Sequence, residues 1–124
     1  MLTVGDEYTR NDIHLQLGGS KVTCLPTVNG VIVAACLTTE FSPAAPHVML
    51  CGQGLCTGPV SARLRKVQGS IPVFVKRAVN RWEFRGQFRV AESLTSGARF
   101  YRLISGSGRS TASVSCIVLL ERCE

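Results

Sequence analysis

Acidic residues and histidines are scarce in this sequence. Its 124 residues include only eight Asp and Glu and two His, and the acids are scattered along the chain. A metal-dependent nuclease needs carboxylates or histidines that cluster around its metal, and a nucleophilic enzyme needs an activated base beside its nucleophile. Neither His14 nor His47 lies in a motif that marks such a base. We therefore expect no catalytic site, no metal site and no cofactor.

Long apolar runs are absent too. No segment reaches the roughly 18 apolar residues of a membrane-spanning helix, and residues 1–10 lack the apolar stretch of a signal peptide. Hydrophobic residues still make up 45% of the chain, enough for a core, and no linker-like segment divides it. The sequence predicts a single domain over residues 1–124, located in the cytoplasm and without a membrane partner.

The cysteines lack the spacing of a zinc site. Four residues separate Cys51 from Cys56, but no second pair of Cys or His follows where a closed zinc site would need one. Most cysteines lie in apolar runs, where a reduced cysteine packs as a small hydrophobic residue. All six are expected to be thiols: Cys24, Cys36, Cys51, Cys56, Cys116 and Cys123.

Basic residues are plentiful by comparison. Fourteen Lys and Arg give a formal net charge of +6, and eleven of these fourteen are Arg. The planar guanidinium group suits phosphate oxygens, so this composition favours a polyanionic partner. A basic protein without such a partner is the alternative that charge alone leaves open.

The residue pattern predicts an α+β domain. Thr9 and Asp12 form a capping box for a short helix that ends at Gly18, and Pro59 and Gly69 bound a second, basic helix. Runs of β-branched and aromatic residues predict about six short strands, which together indicate a strongly bent or closed sheet. These strands are GVIVAACLT (30–38), HVMLC (47–51), IPVFVKRA (71–78), WEFRGQFRV (82–90), ARFYRLIS (98–105) and ASVSCIVLLE (112–121).

The run from residue 82 to 90 alternates between apolar and polar positions. Trp82, Phe84, Phe88 and Val90 share one face of a regular strand, and charged or polar residues share the other. This alternation predicts one face in the core and one charged face in solvent.

The start of the first helix predicts an anion site. Unpaired N–H groups and the helix dipole favour a negative charge there, and Arg10 adds a full positive charge on the first turn. An ordinary exposed arginine is the alternative.

The segment TEFSPAAPHVMLCG, residues 39–52, places a small, rigid, uncharged loop between two predicted strands. Pro43, Ala44, Ala45 and Pro46 offer ring carbons and methyl groups but no side-chain donor, which suits a phosphate oxygen poorly. A sulfur in place of that oxygen is larger, more polarizable and less hydrated. It gains dispersion contact from an apolar pocket while an arginine neutralises its charge. A plain proline-rich turn is the alternative.

The order of the motifs resembles the sulfur-binding domain of phosphorothioate-dependent, McrA-type restriction endonucleases, which are type IV enzymes of bacterial defence with an HNH nuclease domain. The matching motifs span about residues 7–90: YTRNDIHLQLGG, the proline loop, LCGQG, the basic helix, PVFVKR and NRWEFRGQFRV. We therefore expect a bent or barrel-like mixed sheet with two short helices, SRA/PUA-like in general character.

The resemblance also implies a sulfur site. In that family a proline loop forms a shallow apolar pocket, an arginine of the first helix lies beside the sulfur, and neighbouring loops read base edges in the major groove. By position, Arg10 would lie against the phosphorothioate, preceded by Thr9. Within the loop, Ser42 and Pro46 would frame the pocket and the sulfur would contact Pro43, Ala44 and Ala45. Candidates for contacts to the DNA backbone or bases are His14, Arg63, Lys66, Arg77, Arg81, Arg85 and Arg109.

The partners implied are phosphorothioate-modified duplex DNA and a fused or partner HNH nuclease, which would supply all nuclease activity. Two other functions are compatible with the sequence. A related barrel-type reader of a modified base or of RNA would need an aromatic pocket for base stacking. A protein-interaction or regulatory domain would bind its partner without dependence on nucleic acid.

Overall fold

A computed structural model describes residues 2–40, 42–52, 69–110 and 113–123. Its two helices are α1 (Arg10–Leu17) and α2 (Ala98–Ser107). Its strands are β1 (Glu7–Tyr8), β2 (Thr27–Val28), β3 (Val31–Ile32), β4 (Ala35–Leu37), β5 (Val48–Gly52), β6 (Ile71–Ala78), β7 (Arg81–Leu94) and β8 (Val114–Arg122). Within this part of the chain, no helix has the length and apolar character needed to cross a membrane.

Six of the strands form one mixed sheet. Its order is β4-β6-β7-β8-β5, and β1 adds to β7 beyond this path. Strands β4 and β6 are parallel, whereas the other neighbours are antiparallel. In the described residues β4 and β5 lie at opposite edges, so the sheet is open and not a closed barrel. The predicted α+β class with a mixed sheet is confirmed.

Helix α1 forms where its capping signals predicted. The Asp12 N–H donates to the Thr9 hydroxyl over 3.1 Å, and the Thr9 N–H donates to the Asp12 carboxylate over 3.0 Å. This capping box satisfies two backbone donors that a helix start otherwise leaves unpaired. Gly18 ends the helix with φ 84°, a conformation that glycine adopts without strain.

The predicted strand at residues 98–105 is wrong, because these residues belong to α2. Phe100 and Ile104 are four residues apart, so on a helix they share one face, and both are buried. Gly97 and Gly108 lie just outside the two helix ends. The aromatic and β-branched residues suggested a strand, but burial of Phe100 and Ile104 against the sheet stabilises a helix.

Strand β7 has two irregularities that move its side chains from one face of the sheet to the other. On β6, Val73 pairs with Gly86 but the next residue, Phe74, pairs with Phe84, which leaves Arg85 as an extra residue. A second shift lies between Val90 and Glu92 in the pairing with β8. An extra residue reverses the alternation beyond it.

The single apolar face predicted for residues 82–90 is therefore wrong. Trp82 and Phe84 pack in a cluster beneath α1, whereas Phe88 is buried in a central core that Val90 adjoins. The regular period of two was correct on either side of the bulge, but a bulge cannot be read from alternation alone.

Three apolar clusters fill the domain. The central core lies between the edge strands β4 and β5 and includes Val73, Phe88 and Val118. The α1 cluster joins Ile13 to Phe74, Trp82 and Phe84. The α2 cluster joins Phe100 and Ile104 to Leu50 and Ile117, which places α2 against β5 and β8.

Several other predictions have mixed outcomes. The strands expected at 47–51, 71–78 and 112–121 form with small changes of their ends, whereas the strand expected at 30–38 is divided into β3 and β4. The predicted second helix, with Pro59, falls outside the described residues. Cys24 is disulfide-bonded, so its assignment as a thiol is wrong, because spatial proximity of cysteines cannot be read from their spacing. Among the described cysteines, Cys36, Cys51, Cys116 and Cys123 form no disulfide bond.

Candidate functional site

The proline loop, residues 42–47, is fixed to the start of β5 by hydrogen bonds. The buried Ser42 hydroxyl accepts from the Leu50 N–H over 3.0 Å, and the Ser42 N–H donates to the Thr38 carbonyl over 2.8 Å. The Ala45 N–H donates to the Ser42 carbonyl over 2.9 Å. A loop held at both ends in this way presents its exposed side chains in a defined position.

An apolar cavity of about 330 Å³ lies between this loop and α2. Carbon atoms of the loop, of β5 and of Leu103 form most of its wall, and Arg102 brings the one full charge among its described lining residues. The lining consists of Pro43, Ala44, Val48, Leu50, Arg102, Leu103, Gly106 and Ser107.

The five loop residues predicted at a sulfur site have different positions. Pro43 and Ala44 are exposed and line the cavity. Ala45 is half-buried against the central core, and Pro46 is buried. Ser42 is buried and stabilises the loop through its hydrogen bonds. The loop therefore offers the cavity one proline ring and one methyl group.

Arg10 is buried within the protein, with only 9% of its surface exposed. One terminal nitrogen donates to the Ser20 carbonyl over 2.8 Å and to the Thr23 carbonyl over 2.9 Å. Its guanidinium carbon lies 5.3 Å from the centre of the Trp82 ring, the distance of a cation–π contact. These contacts hold the loop after α1 against β7.

The buried charge of Arg10 also reaches β4. Burial raises the pKa of the Cys36 thiol to about 11, and the Arg10 guanidinium opposes part of that rise. Cys36 is therefore a protonated thiol at neutral pH, and a protonated thiol is a poor nucleophile.

Backbone N–H groups in the first turn of α1 donate hydrogen bonds to other groups of the protein. The Arg10 N–H donates to the Asn80 side chain over 3.0 Å, and the Asp12 N–H donates to Thr9. Thr9 thus acts as the helix cap. Asn80 lies in the turn between β6 and β7 with φ 53°, so this contact joins that turn to α1.

The predicted DNA-contacting residues lie in several parts of the fold. His14 is half-buried, and its Nδ1 donates to the Gly19 carbonyl over 2.7 Å, because a carbonyl oxygen only accepts. Arg109 is half-buried after α2, and its N–H donates to the Ser107 hydroxyl over 3.1 Å. Arg63 and Lys66 fall outside the described residues.

The β6–β7 hairpin brings three more of these candidates together. Arg77 forms an ion pair with Glu83 over 2.6 Å, and Arg85 lies 3.9 Å from the same carboxylate. Arg81 is exposed at the start of β7, and Val79 at the tip is 88% exposed. The hairpin is therefore basic and exposed at its tip, and Glu83 partly neutralises the charges of Arg77 and Arg85.

Sequence reasoning missed the contribution of α2 to the cavity. Arg102 was assigned to a strand and therefore carried no site prediction. The spacing of Phe100, Leu103 and Ile104 contained a helical signal, since such residues lie on one side of a helix. Their aromatic and β-branched types obscured it.

Comparison with known proteins gives a likeness of fold. No protein-family model matches the chain, and no curated protein matches its sequence. The structure aligns with the SRA domain of SUVH5 from a crystal structure of its complex with hemi-methylated CG DNA. The TM-score is 0.63 at 14% sequence identity, over 98% of this chain and 89% of that chain. The fold is SRA-like.

A second solved structure is similar over a smaller part. It is the type IV phosphorothioation-dependent restriction endonuclease ScoMcrA, with a TM-score of 0.48 and 14% identity over 75% of this chain and 20% of that chain. This SRA-like chain therefore spans about a fifth of that enzyme.

Proposed function

We propose that this chain is a reader of modified duplex DNA, and that the modification is a phosphorothioate whose sulfur enters the cavity beside the proline loop. The apolar cavity carries this proposal. The SRA-like fold supports DNA reading in general, since the SUVH5 SRA domain is bound to hemi-methylated DNA.

The charge of the chain supports a polyanionic partner. The formal net charge is +6, and several exposed cations make no ion pair within the described ranges. These cations are Lys21, Lys76, Arg81, Arg102 and Arg122. Each phosphate contact makes the affinity fall more steeply with salt, by about 0.9 in the slope of log K against log salt. Phosphate contacts supply affinity without sequence information.

The wall of the cavity supports selection of sulfur over oxygen. Pro43, Ala44, Val48 and Leu50 present carbon atoms, which desolvate a phosphate oxygen without replacing its hydrogen bonds. Sulfur is less strongly hydrated and more polarizable than oxygen. It therefore loses less hydration free energy on entering the cavity, and it gains dispersion contact with the same wall. Selectivity therefore comes from the cavity, while most of the affinity comes from the basic surface.

A modified base is the second candidate, and the SRA-like fold favours it. An extruded base is usually held by stacking on aromatic side chains and by hydrogen bonds to its edge. No aromatic residue is among the described residues that line this cavity. The cavity chemistry thus suits sulfur better than a base.

The chain would act as a targeting module. Cleavage would come from a separate nuclease domain of the HNH type, fused or bound as a partner, as the motif resemblance implies. Among the described residues, no three His, Cys, Asp or Glu side chains are grouped in a way that could hold a metal ion.

A competition gel shift tests the proposal. Wild-type protein is bound to a labelled duplex with one backbone sulfur and challenged with unlabelled duplexes that carry that sulfur, no sulfur, or a methylated cytosine. We expect the sulfur duplex to compete best. Best competition by the methylated duplex would replace this function by base reading, and no binding to any duplex would exclude DNA as the partner.

A variant of the loop links that result to the cavity. Pro43→Asp adds a negative charge to the cavity wall and should abolish the preference for sulfur while weak binding to ordinary DNA remains. Val22→Asp is the matched control, because Val22 is 78% exposed on the loop after α1 and does not line the cavity. Equal losses with both variants on both duplexes would contradict the cavity as the sulfur site.

A further inference from the structure

Helix α2 presents one arginine to the cavity from a rigid position. Phe100 and Ile104 are buried against the sheet at 4% and 0% exposure, which fixes the helix between them. Arg102 lies between these anchors in sequence, is exposed, and lines the cavity opposite the proline loop. The helix backbone that carries the Arg102 side chain is therefore held in place.

Arg102 differs from the other arginine of the same helix in its contacts. Arg99 holds both carboxylate oxygens of Glu92, at 2.9 and 2.6 Å. Arg102 makes no ion pair or side-chain hydrogen bond with any part of the chain that the structure describes. Its charge is therefore available to a ligand, whereas that of Arg99 is neutralised.

Ser107 is the other polar residue of the cavity, and its hydroxyl proton is already donated within the protein. The Ser107 hydroxyl donates to the Ile104 carbonyl over 2.5 Å and accepts from the Arg109 N–H. A hydroxyl has only one proton to donate. Among the described lining side chains, Arg102 is thus the one donor left for an anion.

We propose that Arg102 of α2 supplies the positive charge beside the phosphorothioate and positions its sulfur against the apolar wall that selects it. This inference rests on the proposed function. The Arg102 guanidinium holds the non-bridging oxygen, while the sulfur of the same phosphate lies against Pro43 and Ala44. Opposite walls of different chemistry distinguish the two non-bridging atoms, so the site also distinguishes the Rp from the Sp diastereomer. Arg10, whose donors bond to Ser20 and Thr23, acts by holding the fold.

The test compares three variants with wild type on sulfur and ordinary duplexes. Arg102→Met removes the charge, Arg102→Lys keeps the charge without the planar fork, and Arg99→Met is the matched control on the same helix. A charge-assisted hydrogen bond is worth about 1.5–3 kcal/mol, so Arg102→Met should weaken binding to the sulfur duplex about 10- to 100-fold. It should weaken binding to the ordinary duplex much less. Arg102→Lys should recover part of the loss, and Arg99→Met should leave the ratio between duplexes unchanged.

The outcomes separate this inference from the proposed function. If wild type has no preference for sulfur, the proposed function fails and the inference fails with it. If wild type prefers sulfur and Arg102→Met keeps both that preference and the Rp to Sp ratio, the inference alone is overturned. Substitution of an exposed residue changes stability by about 0.5 kcal/mol at most, so melting curves of all variants should coincide within about 2 °C.

Discussion

Replacing Arg10 by Met tests whether this arginine maintains the fold or contacts a ligand. Met keeps an unbranched apolar side chain but removes the charge and the donors to the Ser20 and Thr23 carbonyls. Hydrogen bonds from charged groups contribute about 1.5–3 kcal/mol each, and a desolvated cation on a Trp ring contributes about 2 kcal/mol. The gross loss is therefore several kcal/mol.

Part of this loss is recovered, because the variant no longer buries a charge. The Nε of Arg10 is buried and has no hydrogen-bond partner among the described residues, so its desolvation is uncompensated. Removal of a buried charge offsets several kcal/mol of the lost contacts. We expect a net decrease of about 3 kcal/mol in the free energy of unfolding. For a domain of this length, that decrease lowers Tm by about 10 °C.

The assay is thermal unfolding followed by circular dichroism, together with duplex binding well below the Tm of the variant. Arg81→Met is the control, since Arg81 is exposed on the β6–β7 hairpin. We expect the lower Tm only for Arg10→Met, with its preference for sulfur retained at low temperature. An unchanged Tm with selective loss of binding to the sulfur duplex would refute this reasoning and would make Arg10 a direct ligand of the phosphorothioate, as the sequence motif predicted.

Three further predictions concern the cavity, the sheet and pH. Gly106→Leu should keep the fold, because nothing lies within 4 Å of an added Cβ, but it should reduce the preference for sulfur by filling the cavity; retained preference in the gel shift would contradict this site. Gly52→Ala should lower Tm strongly, since an added Cβ would overlap the Ser113 carbonyl oxygen, and Gly106→Ala is its control in thermal unfolding. Burial raises the pKa of Cys36 to about 11, above its value of 9.0 in the unfolded chain, so the unfolded state loses this proton first. The protein should therefore lose stability between about pH 9 and 11, by up to about 3 kcal/mol, and Cys36→Ala should show a smaller loss over that interval in urea titrations.

The sequence by itself determined the local elements whose signals lie within a few neighbouring residues. The capping box of Thr9 and Asp12 and the glycine at 18 specified α1, because caps act through contacts three residues apart. The β-branched runs specified β5, β6 and β8, and the short turn specified the β6–β7 hairpin. The charge of +6 and the apolar proline loop indicated a polyanionic partner and a sulfur site, and both remain predictions.

Only the tertiary structure decided which of these elements meet. Packing of Phe100 and Ile104 on β5 and β8 made residues 98–107 a helix and brought Arg102 to the proline loop, contacts between segments about 60 residues apart that no local pattern encodes. Because of the bulge at Arg85, Trp82 and Phe88 lie in different clusters. The pairing with β6 sets the face of each side chain, whereas sequence alternation alone does not. The same pairing placed Trp82 under Arg10, and so buried the arginine for which the sequence motif predicted a place beside the phosphorothioate.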